Sequence, residues 1–155
     1  MLEENDLACS FELSSYSNEN LKLEDINHEY MVLYFYPKDD TSGCTIEAKE
    51  FSSLSDEFNH LSTIIYGISK DDIKSHKKFA EKYDLKIDLI SDTQDIAEKY
   101  GVWAEKSMYG KKYFGIERTT FLLDKAKRII KIWKKVKSEG HALEVLNYVK
   151  LIREN

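Results

Sequence analysis

Two largely apolar runs, Met31–Tyr36 and Thr63–Ile68, constrain the fold of this chain more than any other feature of its sequence. A strand with one solvent-facing side alternates polar and apolar residues, whereas a continuous apolar run is typical of a strand buried on both faces. Each run is followed by a stretch in which apolar residues recur at steps of three and four, the spacing of an amphipathic helix. Buried strands that alternate with helices predict an α/β fold with a central sheet covered by helices.

The remaining elements complete a β-α-β-α-β-α-β-β-α order behind an N-terminal β-hairpin. Turn residues at 17–20 separate two short segments, Leu7–Leu13 and Leu21–Leu23, and this pattern predicts the hairpin. With a single proline and no linker-like segment, we expect one domain over residues 1–155. The other predicted elements are a helix from Thr41 or Ser42 to about Leu61, a helix over 72–83, a strand over 87–90, a helix over 95–100, strands over 119–123 and 129–133, and a helix over 143–152.

Charge and composition argue against several functional classes. The net charge is −5, whereas a chain that binds nucleic acid carries a basic patch. The start is acidic with no apolar run behind it, and no segment reaches about 18 apolar residues. We therefore expect no signal peptide, no membrane span and a cytoplasmic protein. The two cysteines form neither a zinc-binding spacing nor a disulfide framework, so we expect no metal site.

Cys44 stands where the first apolar run has ended and a helix is expected to begin. In the first turn of a helix, unpaired backbone N–H groups and the positive end of the helix dipole stabilise a thiolate relative to a thiol. Gly43 removes a side chain beside the sulfur, and Thr41 is placed to cap the helix and to face the sulfur. A position between glycine and threonine at a helix start is not expected in the core, so we interpret Cys44 as a reactive thiol.

A thiolate alone does not make Cys44 the centre of an enzyme. A free thiol is already about 3% thiolate at pH 7, so full ionisation raises its reactivity at most about thirtyfold. Catalysis also needs donors aimed at the charge that develops in the transition state. Thr41 is one candidate donor. Arg118 is another, because the chain has only three arginines and places this one at the head of a predicted buried strand.

The residues around these positions resemble the peroxiredoxin family. Pro37, Thr41 and Cys44 match its Pro-x-x-x-Thr-x-x-Cys signature, and Arg118 in "GIERTTFLLD" matches its arginine-bearing strand. The chain is more specifically similar to the bacterioferritin-comigratory, or Q-type, subfamily over about residues 6–151. The blocks that carry this similarity are "FYPKDDTSGCT", "GISKDDIKSHKKFAEKY", "LISDTQ", "YGVWAEKSMYGKKYFGIERTTFLLD" and "KVKSEGHALEVL".

The resemblance implies a thioredoxin-like fold and a thiol-dependent peroxidase that needs no metal or organic cofactor. Cys44 would attack the O–O bond of hydrogen peroxide or an organic hydroperoxide and become a sulfenic acid. Pro37 would shield the sulfenic acid and shape the pocket. The other residues that the resemblance assigns to the site are Thr41, Gly43 and Arg118 for peroxide binding, and Glu47 as a support for Arg118.

Recycling of the sulfenic acid is where the chain departs from the subfamily. Many members carry a resolving cysteine five residues after the first or in the next helix, but Lys49 occupies the first position and residues 72–83 contain no cysteine. We therefore expect a one-cysteine enzyme that is reduced by an external thiol: thioredoxin, glutaredoxin or a low-molecular-weight thiol such as glutathione. Cys9, where the family usually has a proline, is an alternative resolving residue, within the chain or across a dimer.

A second alternative belongs to another functional class. In a redox sensor or a thioredoxin-like binding module, oxidation of Cys44 would signal to a partner without rapid turnover. The subfamily resemblance implies a monomer or a weak homodimer, and we expect no nucleic-acid or membrane partner.

Overall fold

The computed structural model describes residues 2–154 and contains a central five-stranded sheet and two small two-stranded sheets. The elements in chain order are β1 (Glu12–Leu13), β2 (Leu21–Lys22), a short 3₁₀ helix (Leu23–Asp25), β3 (Tyr30–Phe35), α1 (Ser42–Ser53), α2 (Ser55–His60), β4 (Thr63–Ser69), α3 (Ile73–Lys82), β5 (Asp88–Ser91), α4 (Ile96–Lys99), β6 (Trp103–Met108), β7 (Lys111–Ile116), β8 (Thr119–Asp124), β9 (Ile129–Trp133) and α5 (His141–Arg153). Within residues 2–154, no helix is long and apolar enough to span a lipid bilayer.

The central sheet has the strand order β5-β4-β3-β8-β9. β3 pairs in parallel with β4, and β4 with β5, while β8 runs antiparallel to both β3 and β9. The predicted central mixed sheet is thus confirmed. At the end of β3, Phe35 pairs with Ile68 of β4 and with Thr119 of β8. The carboxyl end of β3 therefore lies beside the amino end of β8, which brings the segment after β3 close to the residue before β8.

Side chains of β3 point alternately into two hydrophobic clusters, one on each face of the sheet. Met31, Leu33 and Phe35 belong to the first cluster, and Val32 and Tyr34 belong to the second. All five residues are at most 2% exposed, as expected for a strand buried on both faces. Burial of one such side chain contributes about 1.5–3 kcal/mol. β3 therefore anchors both layers, and the segment that follows it starts from a firmly packed strand.

The long helix predicted to reach about Leu61 is divided into α1 and α2 at Leu54, whose φ and ψ are −97° and 3°. Serines flank Leu54, and the hydroxyl of Ser53 donates to the carbonyl of Glu50 at 2.9 Å. Serine side chains that bond to nearby backbone carbonyls compete with the regular hydrogen bonds of a helix. The apolar spacing continues across the break, so periodicity alone predicts one helix.

Over residues 2–154 the fold contains three hairpins: the N-terminal hairpin and the β8–β9 hairpin were predicted, and the β6–β7 hairpin was not. The N-terminal hairpin is present, although its paired strands are only β1 and β2. The second hairpin, formed by β6 and β7, turns at Tyr109 and Gly110, whose φ values of 53° and 78° are those of a type I′ turn. Its strands are rich in charged residues and mostly exposed, so they lack the apolar pattern that identifies a buried strand.

Candidate active site

The segment between β3 and α1 carries Cys44 to the carboxyl edge of the sheet. Pro37 is half-buried in this segment, and Thr41 is the N-cap residue of α1, with φ and ψ of −92° and 159°. The backbone N–H of Thr45 donates to the Thr41 carbonyl at 2.8 Å. Cys44 therefore lies in the first turn of the helix, as predicted. Backbone N–H groups in this turn have no acceptor within the helix, so the turn favours negative charge on the sulfur.

Arg118 reaches this turn from the residue just before β8. Its Nη2 donates to the sulfur of Cys44 at 3.3 Å, and its Nη1 donates to Oε1 of Glu47 at 2.7 Å. Glu47 lies one helical turn beyond Cys44, so its carboxylate and the sulfur share one face of α1. The side chain of Glu47 is fully buried, and that of Arg118 is 16% exposed. The structure thus brings these three residues together and sets a positive charge against the sulfur.

Burial controls the protonation of the ion pair between Glu47 and Arg118. It raises the pKa of Glu47 from 4.5 to about 7, although the attraction of Arg118 opposes this rise. Burial lowers the pKa of Arg118, but the charges of Glu47 and Cys44 outweigh it, so that the pKa is raised above its ordinary value. Arg118 is therefore always charged, whereas Glu47 exchanges a proton near neutrality.

Two buried oxygens beside the site, Oε2 of Glu47 and the hydroxyl of Tyr34, make no hydrogen bond to any residue within 2–154. The ring of Tyr34 stacks on Phe51, with 4.7 Å between the ring centroids. Burial raises the pKa of Tyr34 well above its ordinary value, and the charges of Glu47 and Cys44 add to the rise. Tyr34 therefore stays neutral and contributes packing rather than charge.

Gly43 packs closely against the arginine. A Cβ at this position would lie 3.1 Å from Oγ of Ser138 and 3.3 Å from Nη2 of Arg118. Ser138 belongs to the segment between β9 and α5, where the N–H of Val136 donates to the carbonyl of Arg118 at 3.0 Å. Ser138 was missed from the sequence: it lies in the block "KVKSEGHALEVL" that resembles the subfamily, but nothing in that block assigns it to the site.

Two expectations about the start of α1 are wrong. The side chain of Thr41 does not cap the helix, since its hydroxyl donates instead to the carbonyl of Lys38 at 2.9 Å. Cys44, which was expected outside the core, is only 1% exposed and belongs to the same cluster as Tyr34. Its neighbours in sequence suggest an open position, but Arg118, which lies 74 residues further along the chain, contacts the sulfur.

Cys9 lies on the opposite face of the sheet from Cys44. Its side chain packs against the cluster that contains Leu33 and Phe35, and its sulfur is 3.8 Å from the carbonyl of Lys99. Cys44 belongs to the cluster on the other face. The structure therefore does not bring the two sulfurs together, and both thiols are free.

Lys106 of β6 is a further cation near the sulfur, and it was missed from the sequence together with the hairpin that carries it. Its Nζ donates to the carbonyl of Ile116, and its methylene groups pass Gly115, where a Cβ would lie 3.6 Å from Cδ of Lys106. Burial lowers the pKa of Lys106 and repulsion from Arg118 lowers it further, while attraction to Cys44 raises it. The positive charges of both Arg118 and Lys106 therefore interact with Cys44.

The strand order and the buried cysteine in the first turn of α1 define a thioredoxin-like thiol protein. Comparison with known proteins identifies its family. Residues 5–132 match the model of the AhpC/TSA family. The chain belongs to this family.

Curated relatives and solved structures identify the group within the family. The chain is 45% identical over 148 residues to peroxiredoxin Bcp of Bacillus subtilis, a match that covers 95% of this chain and 94% of the relative. It is 37% identical over 150 residues to peroxiredoxin Bcp of Escherichia coli, which covers 96% of each. These relatives are peroxiredoxins, and the predicted resemblance is confirmed.

Solved structures agree with the sequence relatives. The bacterioferritin comigratory protein of Xanthomonas campestris superposes with a TM-score of 0.85 at 39% identity, covering 91% of this chain and 90% of that one. A PrxQ mutant of Xylella fastidiosa gives 0.88 at 34% identity, covering 97% and 99%. The thioredoxin-like fold is thereby confirmed. The protein is a thiol-dependent peroxidase, an oxidoreductase that takes a peroxide and a thiol reductant.

Proposed function

We propose that Cys44 is the peroxidatic cysteine and that the enzyme works with this one cysteine. The Cys44 thiolate attacks an oxygen of hydrogen peroxide or of an organic hydroperoxide. The S–O bond forms as the O–O bond breaks, the sulfur becomes a sulfenic acid, and the leaving oxygen takes a proton to give water or an alcohol. An external thiol then attacks the sulfur, releases water and forms a mixed disulfide, which a second thiol reduces to restore Cys44.

The contact between Arg118 and Cys44 carries this proposal. A guanidinium nitrogen 3.3 Å from the sulfur provides positive charge where negative charge moves from the sulfur to the leaving oxygen. The hydroxyl hydrogen of Thr41 is donated to Lys38, so the oxygen of Thr41 is left to accept a hydrogen bond from the O–H of the peroxide. In this arrangement Gly43 leaves room for the guanidinium, Glu47 orients it, and Pro37 covers the sulfenic acid.

External recycling is supported by the positions of Cys9 and Lys49. A disulfide needs Cα atoms within about 7 Å, and Cys9 packs on the face of the sheet opposite Cys44. Lys49, where the subfamily often has a resolving cysteine, is exposed on α1 with its Nζ 5.7 Å from the centre of the Tyr83 ring. The reductant in this proposal is thioredoxin, glutaredoxin or a low-molecular-weight thiol, and the enzyme is a monomer or a weak homodimer.

Organic hydroperoxides are included among the substrates because of a relative. The Xanthomonas campestris protein has alkyl peroxide reduction activity, and its structure covers 91% of this chain. We therefore include organic hydroperoxides, beside hydrogen peroxide, among the substrates that react with Cys44.

The first test is the intact mass of the reduced protein after one equivalent of hydrogen peroxide. The expected product gains one or more oxygens at Cys44, while Cys9 remains a free thiol. Cys44→Ser should consume no peroxide, and Cys9→Ser should react as the wild type does. Loss of two hydrogens or a covalent dimer, absent in Cys9→Ser, would identify Cys9 as the resolving residue. An unchanged mass would remove Cys44 from the reaction.

Turnover identifies the reductant and separates an enzyme from a sensor. Peroxide consumption is followed with thioredoxin and its reductase, with glutaredoxin plus glutathione, and with glutathione alone. We expect repeated turnover with at least one of the three. One stoichiometric reaction followed by arrest in all three assays would contradict recycling by these external thiols.

A further inference from the structure

The segment that leads from β3 to α1 is fastened to α3 by a buried hydrogen-bonded pair. Asp39 is 8% exposed and His76 is fully buried. Nδ1 of His76 lies 2.8 Å from Oδ2 of Asp39, and the hydroxyl of Ser75 donates to the same oxygen at 2.8 Å. The hydroxyl of Tyr36 donates to the other carboxylate oxygen at 2.6 Å. Asp39 thus links the segment before Cys44 to two residues of α3.

Both ring nitrogens of His76 have hydrogen-bond partners. Nε2 of His76 is 3.0 Å from the carbonyl of Ile90, which can only accept, so this nitrogen carries a hydrogen. Nδ1 faces Oδ2 of Asp39 at 2.8 Å and also lies 3.3 Å from the hydroxyl of Tyr36. Loss of either side chain would remove a buried hydrogen bond that joins this segment to α3, which is unfavourable.

A metal ion is not needed to explain this cluster. Atoms of Asp39, Asp71 and His76 that are able to bind a cation lie within 4.8 Å of one another. However, Oδ2 of Asp71 already accepts from the N–H of Asp39 at 2.8 Å and from the hydroxyl of Ser69 at 2.7 Å. Both ring nitrogens of His76 are also occupied by hydrogen bonds. The cluster is therefore satisfied as a hydrogen-bonded clamp.

The burial of Cys44 means that this clamp affects the access of an external thiol to the sulfur. An external thiol must touch the sulfur, yet Cys44 is only 1% exposed. The segment around Cys44 must therefore move before the sulfenic acid is reduced. A second contact joins Asp40 to Lys82 of α3 at 2.7 Å and to Tyr83, the residue just after this helix, at 2.6 Å, but it is exposed and contributes little. The buried pair is the stronger restraint on this movement.

We propose that Asp39 and His76 are positioning residues that latch the segment 36–44 in its closed position. While the latch is made, Cys44 is held beside Arg118 and reacts with peroxide. When the latch opens, the segment leaves α3 and the oxidised sulfur becomes accessible to the external thiol. This inference rests on the proposed external recycling of Cys44.

The test compares His76→Asn and Asp39→Asn with Asp40→Asn, a control that weakens the exposed contact of the same segment. The reduced proteins are treated with a bulky maleimide, and labelling is quantified on the Cys44 peptide by mass spectrometry. We expect labelling at least about tenfold faster in the two latch variants, because local opening is easier. Asp40→Asn should stay within about twofold of the wild type. Circular dichroism and thermal unfolding identify which variants are folded, and the milder Asp39→Asn serves if His76→Asn does not fold.

Separate half-reactions distinguish a latch from general loss of structure. A latch variant should be oxidised by peroxide about tenfold more slowly, because Cys44 is less well placed. The same variant should have its sulfenic acid reduced faster by a protein thiol. Labelling rates equal to the wild type in a folded variant, or slowing of both half-reactions together, would overturn the proposal. Labelling is measured on the reduced protein, so a Cys9–Cys44 bridge would refute external recycling without changing this result.

Discussion

Nη2 of Arg118 lies 3.3 Å from the sulfur of Cys44, while Nη1 of the same guanidinium donates to Glu47 at 2.7 Å. Only a planar group with several donors makes both contacts at once, because a lysine presents a single ammonium on a flexible stem. The buried carboxylate therefore fixes the direction in which the positive charge meets the sulfur.

Replacement of Arg118 should slow the reaction with peroxide far more than it changes the fold. We expect Arg118→Lys to lower the second-order rate constant of Cys44 oxidation at least about 100-fold, as found when one transition-state donor is removed. Single-turnover oxidation followed by quenched mass analysis measures this constant. Arg128→Lys is the matched control, since Arg128 is exposed and donates to the carbonyl of Asn5. An oxidation rate of Arg118→Lys within threefold of the control rate would contradict a role for the two-donor guanidinium.

Gly43→Ala should displace the guanidinium without disturbing the helix. The added Cβ would lie 3.3 Å from Nη2 of Arg118 and 3.1 Å from Oγ of Ser138, so the arginine must shift. Misplacement of a catalytic group by a fraction of an ångström to an ångström slows a reaction by up to about 100-fold, and we expect a loss between tenfold and this limit.

The double variant Gly43→Ala/Ser138→Ala tests the cause of that loss. Removal of the Ser138 hydroxyl gives the new methyl group space away from the arginine, so part of the oxidation rate should return. In Ser138→Ala alone, Cys44 should be oxidised at the wild-type rate. A double variant no faster than Gly43→Ala would show that contact with Ser138 does not control the position of Arg118.

Gly67→Ala should destabilise the sheet, because the glycine faces a rigid ring. A Cβ here would stand 2.7 Å from Cζ and 2.8 Å from the hydroxyl of Tyr34, and 2.9 Å from Leu89. Overpacking of this kind costs about 1–3 kcal/mol, which urea unfolding would measure. In Gly115→Ala the nearest atoms lie at 3.6 Å, so its stability should change by no more than about 0.5 kcal/mol. Equal stabilities of the two variants would refute the packing argument.

The central strands and the pairing of Cys44 with Arg118 were predictable from the sequence. A strand buried on both faces leaves a continuous apolar run in the sequence, as Met31–Tyr36 shows. The arginine was found by its rarity and by the family resemblance, and the antiparallel pairing of β3 with β8 explains how it reaches the cysteine.

Features that depend on distant partners were not predictable. The spacing of apolar residues places His76 on the inner face of α3, but its partner Asp39 lies 37 residues earlier and no local pattern joins them. The hydroxyl of Thr41 bonds to Lys38 rather than to the helix, because both cap and turn hydrogen bonds are open to a threonine at this position. The burial of Cys44 likewise comes from elements far away in sequence.

The raised pKa of Glu47 predicts how stability depends on pH. Between pH 4.5 and about 7 the folded protein keeps on Glu47 a proton that the unfolded chain has released. The contribution of this group to the free energy of unfolding therefore falls as the pH rises through this window, by up to about 3 kcal/mol, and is constant above it. Glu47→Gln carries no titrating group at this position, so its free energy of unfolding should lack this contribution to the pH dependence.

Urea unfolding of the wild type and Glu47→Gln at pH 5 and pH 8 measures the difference. Other groups titrate in both proteins, so the quantity of interest is the free energy of unfolding of the variant minus that of the wild type. This difference should shift in favour of Glu47→Gln as the pH rises from 5 to 8. Glu57→Gln changes an exposed residue of α2, so its free energy of unfolding should equal that of the wild type at both pH values. If Glu47→Gln and the wild type show parallel pH profiles, Glu47 is already ionised throughout the range, and attraction to Arg118 rather than burial governs this carboxylate.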